Sequence, residues 1–382
     1  GINAVFHDSA ACLVRDGEVI AAAEEERFTH VKHGKRPIPF SAYELPFHAI
    51  DFCLRRANIE LRNLDHVAYS FNPYSLLGAH ADSDRLSLPL QPSLHPRPEE
   101  WESVWDPLTL CYVVNAPRHL KDGAPHHLAA RFRGVSVDGP YRWHHVPHHL
   151  AHAASAFYPS PFAEAATLTL DGRGERATTT YGRGHGKALD LIGEVHMPHS
   201  LGLLYEDLTT YLGFLHSSDE YKVMALASYG KPAYARELRD LIHLGRDGQY
   251  TIDPPRFVER FGPARRQGAA LEQKHFDLAR SAQLVLEETV LELARWLQEA
   301  THAKNLCMAG GVALNCVMNA KIRDQGPFER VWVQPAAGDA GTALGAALWI
   351  DAQMQQARPA YRMDHVFLGP EYSEQEIEEF LQ

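Results

Sequence analysis

The chain has 382 residues, 45 % of them hydrophobic and 22 % charged, with a formal net charge of −11. That length suits a large two-lobed body, and the acidic balance lacks the electropositive footprint of a nucleic-acid binder, so a polynucleotide partner is disfavoured. The cysteines are five, with no C-x-x-C spacing, and no apolar run is long enough to span a membrane; the pattern reads as reduced thiols in a cytoplasmic protein, not a disulfide framework or a zinc ribbon.

The first predicted unit is a β-hairpin. Ala10-Ala11-Cys12-Leu13-Val14 and Glu18-Val19-Ile20-Ala21-Ala22 flank Asp16-Gly17, a strong turn signal. A helix is expected over residues 46–57, with Ile50, Cys53, Leu54 and Ala57 on one face, and a strand over 67–71. Residues 72–143 differ: Pro89, Pro92, Pro96, Pro98 and Pro107 break any regular element there. This stretch reads either as a surface excursion or as a flap that binds an acceptor.

A second hairpin starts with Thr167-Leu168-Thr169-Leu170, turns through Asp171-Gly172-Arg173-Gly174 and returns over Ala177-Thr178-Thr179-Thr180-Tyr181; a third strand follows over 189–196. A long helix is expected over 276–300, striped by Ala282, Leu286, Val290, Leu293 and Leu297. Short strands at 305–309 and 331–333 and a small-residue helix over 341–350 complete the pattern. Strand–turn–strand units recur in both halves, interleaved with helices, which predicts two related α/β lobes with a cleft between them. The expected organisation is a first lobe over 1–160 with the proline-rich insertion at about 72–143, a second over 161–360, and a linker from 361 to 382. Ser373-Glu374-Gln375-Glu376 opens a further helix as a capping box.

Chemistry gathers at a few points. In Pro147-His148-His149-Leu150-Ala151-His152, a helix begun by Pro147 puts His148 and His152 on one face, one turn apart, a spacing that suits two imidazoles on one metal. Asp171 ends an apolar strand beside Gly172, where backbone can approach a phosphate, and Asp339 lies between a strand and a helix N-terminus. Two His and two Asp ligands suit ferrous iron, manganese or zinc alike. Gly310-Gly311, leading from strand into helix, offers backbone N–H groups to an anion. Lys32, beside His33-Gly34, is placed to reach a phosphate or carbonyl oxygen, and Lys222 is a second anion-binding candidate. His7, just after the first strand, is a candidate base or transition-state donor.

Together these runs resemble the carbamoyltransferase family of nodulation-factor, cephamycin and tobramycin biosynthesis (NodU, CmcH and TobZ). The resemblance rests on Phe6-His7-Asp8-Ser9-Ala10-Ala11, Ala23-Glu24-Glu25-Glu26-Arg27-Phe28, Lys32-His33-Gly34, His148-His149-Leu150-Ala151-His152-Ala153, Leu170-Asp171-Gly172-Arg173-Gly174-Glu175, Ser200-Leu201-Gly202, Lys222-Val223-Met224, Ala309-Gly310-Gly311-Val312-Ala313-Leu314-Asn315 and Gly338-Asp339, in family order. Ala225 stands where many members carry glycine. The resemblance implies a two-lobed, duplicated actin- and sugar kinase-like fold related to TsaD, the tRNA threonylcarbamoyl-transfer protein, with a central cleft. It implies ferrous iron on His148, His152, Asp171 and Asp339, contacts from Lys32, Gly202, Glu206, Gly310, Gly311 and Asn315 to a carbamoyl-adenylate, and His7 as the catalytic histidine.

The implied reaction passes a carbamoyl group from carbamoyl-adenylate, made from carbamoyl phosphate and ATP, to a hydroxyl of a small natural product. The activating YrdC-like domain is expected after Gln382 of a longer polypeptide, and a homodimer is compatible with the family. The rival readings are TsaD-like tRNA modification and a non-catalytic nucleotide-binding scaffold.

Overall fold

The computed structural model describes residues 1–34, 45–77, 113–114, 116–117, 119–120 and 141–382. The proline-rich stretch and most of the expected 72–143 insertion lie outside these residues. The strands are β1 (Ile2–Asn3), β2 (Ala10–Arg15), β3 (Glu18–Glu24), β4 (His66–Tyr69), β5 (Arg142–His145), β6 (Glu164–Leu170), β7 (Ala177–His185), β8 (Ala188–His196), β9 (Ile242–Leu244), β10 (Tyr250–Ile252), β11 (Asn305–Ala309) and β12 (Arg330–Val333). The longer helices are α1 (Phe47–Arg56), α2 (His148–Phe157), α3 (Leu201–Tyr211), α4 (Glu220–Leu226), α5 (Gln273–Thr301), α6 (Cys316–Gln325), α7 (Ala340–Gln355) and α8 (Glu374–Leu381).

Local chemistry explains the hairpins. Asp16 and Gly17 both take positive φ, 52° and 83°, the backbone that a two-residue turn needs to match strand twist. The β7–β8 turn uses Gly186 at φ 56°. The connection from β6 to β7 is longer, and its first residue is Asp171.

Two sheets of five strands follow, ordered β3-β2-β1-β4-β5 and β12-β11-β6-β7-β8. In the first, β1–β2 and β2–β3 are antiparallel while β1–β4 and β4–β5 are parallel. In the second, β6–β7 and β7–β8 are antiparallel while β6–β11 and β11–β12 are parallel. The topology is the same, strand for strand. This is the duplicated, two-lobed α/β architecture that the recurring hairpins led us to expect, of the actin and sugar kinase type that the resemblance implied.

The repeats interlock through their last helices. α2 follows β5, yet packs on β6, β7 and β11; α7 follows β12, yet packs on β1, β2 and β4. The layers are therefore first sheet, α7, α2, second sheet. Small side chains allow the two middle layers to meet: Ala151, Ala153, Ala154 and Ser155 on α2, Ala343, Gly345 and Ala346 on α7, all buried. A Cβ built on Gly345 would sit 1.8 Å from the Ala151 carbonyl oxygen. The largest apolar cluster lies under α5, where Leu278, Leu286, Val290, Leu293 and Leu297 are buried against Leu168, Leu170, Leu306 and Met308. No helix among the described residues is long and apolar enough to cross a membrane.

Candidate metal centre and cleft

Four side chains meet where α2, the end of β6 and the start of α7 converge. His148 and His152 project from one face of α2, with ring centroids 4.7 Å apart and planes at 85°. Their Nε2 atoms lie 3.4 and 3.6 Å from Asp171 Oδ2, and 3.4 and 3.5 Å from Asp339 Oδ1. These spacings are too long for good hydrogen bonds. They fit a shared ion, because donor atoms roughly 2.0–2.2 Å from one metal at the tetrahedral angle lie about 3.4 Å apart.

The surroundings prepare each ligand atom. His148 Nδ1 donates to the Ser70 carbonyl over 3.1 Å, which turns Nε2 towards the centre, the ring nitrogen that would bind a metal. Asp171 Oδ1 accepts from Gly311 N at 2.7 Å, so Oδ2 is the free end. Among the buried side-chain atoms without a hydrogen-bond partner are His148 Nε2, His152 Nε2 and both carboxylate oxygens of Asp339. Orphaned atoms of this kind cost several kcal/mol as a group when nothing satisfies them. Burial opposes ionisation of Asp171, but His148 and His152 hold its carboxyl well below the ordinary value. Burial likewise opposes ionisation of Asp339, and His7 and His148 reverse that. Both therefore present charged oxygens. The four residues fit one divalent cation.

Glu175 seats the helix that carries the histidines. Its Oε1 accepts from His148 N at 2.9 Å and from Asn72 N at 2.6 Å. A carboxylate at a helix N-terminus also complements the helix dipole. One six-residue connection thus supplies Asp171 to the centre and Glu175 to the root of α2. Glu175→Ala is expected to weaken metal binding by ~10–100-fold, the range seen when a ligand's support is removed; a chelator-competition titration reads this directly.

Above the centre lies a cleft pocket of about 270 Å³. Of the residues singled out from the sequence, His7, Asp171, Gly172, Gly202, Glu206, Gly311 and Asn315 line it. One wall is apolar, built from Tyr221, Met224, Leu286, Val312 and Leu314. Gly202 begins α3 against the Asp171-Gly172 turn; a Cβ there would be 2.6 Å from the Asp171 carbonyl oxygen. Ser200 caps the same helix, accepting from Leu203 N at 3.0 Å and donating to the Gly172 carbonyl at 2.7 Å.

Four sequence candidates have structural partners of their own. Gly310 takes φ 92° and packs against β6, where a Cβ would meet the Leu170 carbonyl oxygen at 2.1 Å; it shapes the turn and does not line the pocket. Asn315 caps α6 by accepting from Met318 N at 2.9 Å, and its amide donates to Gln283 Oε1 at 2.8 Å. Lys32 is not in the pocket lining; its ammonium donates to Ser218 Oγ at 3.1 Å. Lys222 pairs with Asp219 at 2.8 Å. The sequence reading missed Glu175, Ser70 and Ser218, none of which carries a periodicity or spacing signal of its own.

A family model described as carbamoyltransferase N-terminus matches residues 1–80 and 142–348. The chain belongs to this family. It is 39 % identical to the uncharacterized protein sll1178 of Synechocystis, an alignment covering 100 % of this chain and 62 % of that one. It is 37 % identical to the nodulation protein NolNO of Sinorhizobium fredii, over 97 % of this chain and 50 % of the relative. Thus the chain spans between 50 % and 62 % of the length of these two relatives. A solved structure, component A of the (R)-2-hydroxyglutaryl-CoA dehydratase of Acidaminococcus fermentans, is 13 % identical with a TM-score of 0.46, covering 93 % of this chain and 98 % of that one.

Proposed function

We propose that this chain is the acceptor-carbamoylating domain of an O-carbamoyltransferase. The observation that carries the reading is the buried His148, His152, Asp171 and Asp339 quartet under a pocket with His7 at its edge. A divalent cation bound there, ferrous iron by family resemblance, supplies Lewis acidity and charge neutralisation.

The residues present then divide the work. The pocket holds carbamoyl-adenylate, formed from carbamoyl phosphate and ATP in a YrdC-like domain of the longer polypeptide. The glycine-bounded turns at Gly172, Gly202 and Gly311 let backbone come close to its phosphate. The apolar wall of Tyr221, Met224, Leu286, Val312 and Leu314 suits the flat adenine ring and keeps water away. Glu206, whose carboxylate also receives His216 Nδ1 at 2.8 Å, is an acceptor for ribose hydroxyls. His7 takes the proton of the acceptor hydroxyl. The hydroxyl oxygen bonds to the carbamoyl carbon, the bond from that carbon to the adenylate oxygen breaks, and AMP leaves with the electron pair.

The acceptor is a hydroxylated small molecule. Supplied with preformed carbamoyl-adenylate and a panel of such alcohols, the natural full-length protein is expected to release AMP and carbamate ester in equal amounts. His7→Ala is expected to lower kcat by ~10²–10⁴-fold, the usual span for an acid–base group. AMP release without ester under every acceptor would remove the transfer reading, and near-normal turnover of His7→Ala would remove the role of His7. Transfer to tRNA in place of the alcohols would favour the TsaD-like alternative.

A further inference from the structure

The loop that carries His7 and the turn at His33 that packs on it are both held by specific contacts. Phe6, Asp8 and His33 all hold positive φ, at 59°, 52° and 59°, a conformation that side-chain-bearing residues adopt at a cost. Neighbouring contacts impose it. Asn3 Nδ2 donates to the His7 and Asp8 carbonyls at 2.9 and 3.1 Å, and Asp8 N donates to the His33 carbonyl at 2.8 Å. Strain held in this way points to a side chain that must be aimed.

That side chain is Asp8. Its Oδ2 lies 2.8 Å from His7 Nδ1 and its Oδ1 lies 2.7 Å from His33 Nδ1. A carboxylate only accepts. Each facing Nδ1 must therefore carry a hydrogen, whether the imidazole is neutral or charged. His7 Nε2 then faces the cleft, 3.8 Å from Asp339 Oδ2. The same logic fixes His33, whose Nε2 is 3.1 Å from Ser218 Oγ. Ser218 stands just before α4 and also receives Lys32. A single carboxylate thus aligns two imidazoles, one aimed at the metal centre and one at the opposite lobe.

We propose that Asp8 is the positioning residue of the transfer step, fixing His7 as the Nδ1–H form with Nε2 presented to the cleft. The kinetic side of this proposal rests on the carbamoyl-transfer reading above; the structural side does not. A buried carboxylate that sets the tautomer of a catalytic imidazole is a recurring device, and its amide replacement slows turnover although geometry survives.

Asp8→Asn is the informative variant. Its amide oxygen still accepts from one imidazole, while its amide nitrogen donates, so the other imidazole must switch to the Nε2–H form. In full-length protein labelled with ¹⁵N-histidine and loaded with zinc, and with His7 and His33 signals assigned from His7→Gln and His33→Gln, the parent is expected to show Nδ1–H on both rings. Asp8→Asn is expected to switch one of them. In turnover, kcat should fall by about 100-fold or more, with KM for carbamoyl-adenylate within about threefold and bound metal unchanged. Retention of Nδ1–H on both rings of Asp8→Asn, or a raised KM at unchanged kcat, would overturn the proposal. Should Asp8→Asn not fold, the parent spectrum still decides, since a parent His7 in the Nε2–H form excludes it. Should neither protein transfer a carbamoyl group, the functional reading falls, and the spectra judge Asp8 on their own.

Discussion

Asp339→Asn is expected to leave the protein folded and strip it of metal. The substitution preserves side-chain volume at a fully buried position. It removes one of the two carboxylates of the quartet and replaces a charged donor with a weak neutral one. Parent protein prepared anaerobically should hold about one equivalent of metal by elemental analysis; the variant should hold close to none. A second readout is thermal. Metal at about 100 times its Kd stabilises a folded site by ~2.7 kcal/mol, so the parent should melt higher with metal than with chelator, and Asp339→Asn should melt the same in both. Transfer activity is expected to fall with the metal. Full metal occupancy in Asp339→Asn would mean that the ion sits elsewhere.

The second large effect concerns a residue that touches no ligand. Gly345→Ala would drive a methyl group into the backbone of α2, since the built Cβ lies 1.8 Å from the Ala151 carbonyl oxygen and 2.7 Å from Ser155 N. Neither atom belongs to a flexible side chain, so the helices must move apart. Overpacking of this kind typically costs ~1–3 kcal/mol, and more where backbone must shift. The expected result is a fall in Tm of several degrees, read by calorimetry. Metal affinity should fall as well, because α2 carries His148 and His152 while Asp339 caps α7. A Gly345→Ala protein with parental Tm would show that the crossing has slack.

Much of this arrangement could be read from residue order, and the limits are instructive. Asp16-Gly17 and the runs on either side announced the first hairpin because turn chemistry is local. The His148 and His152 spacing announced a shared helix face for the same reason. The strand order could not be read. β1 pairs with β4, and β6 with β11, across long intervening segments, so no short window records them. Nor could the exchange of last helices between the two sheets. The supporting residues were hidden similarly: Glu175 looks like one more acidic residue in a turn until α2 is laid across it, and Asp8 like a neighbour of His7 until His33 closes on its other side. Asn315 and Gly310 were legible as important, but their structural duties were not. Their first duties are a helix cap and a close backbone approach.

The crossing of α2 and α7 has a mechanical consequence. It is where the two repeats come nearest, and the quartet lies at the starts of both helices, within two turns of that point. The contacts of Lys32 and His33 with Ser218 lie farther out, at the rim. For any rotation of one lobe against the other, the crossing acts as a fulcrum and the rim as the end of a lever. Any such rotation would carry Ser218 through a longer arc than the four ligand atoms. Substitutions at Lys32, His33 and Ser218 are therefore expected to act on the rim contacts and to leave the geometry of the four ligand side chains as it is.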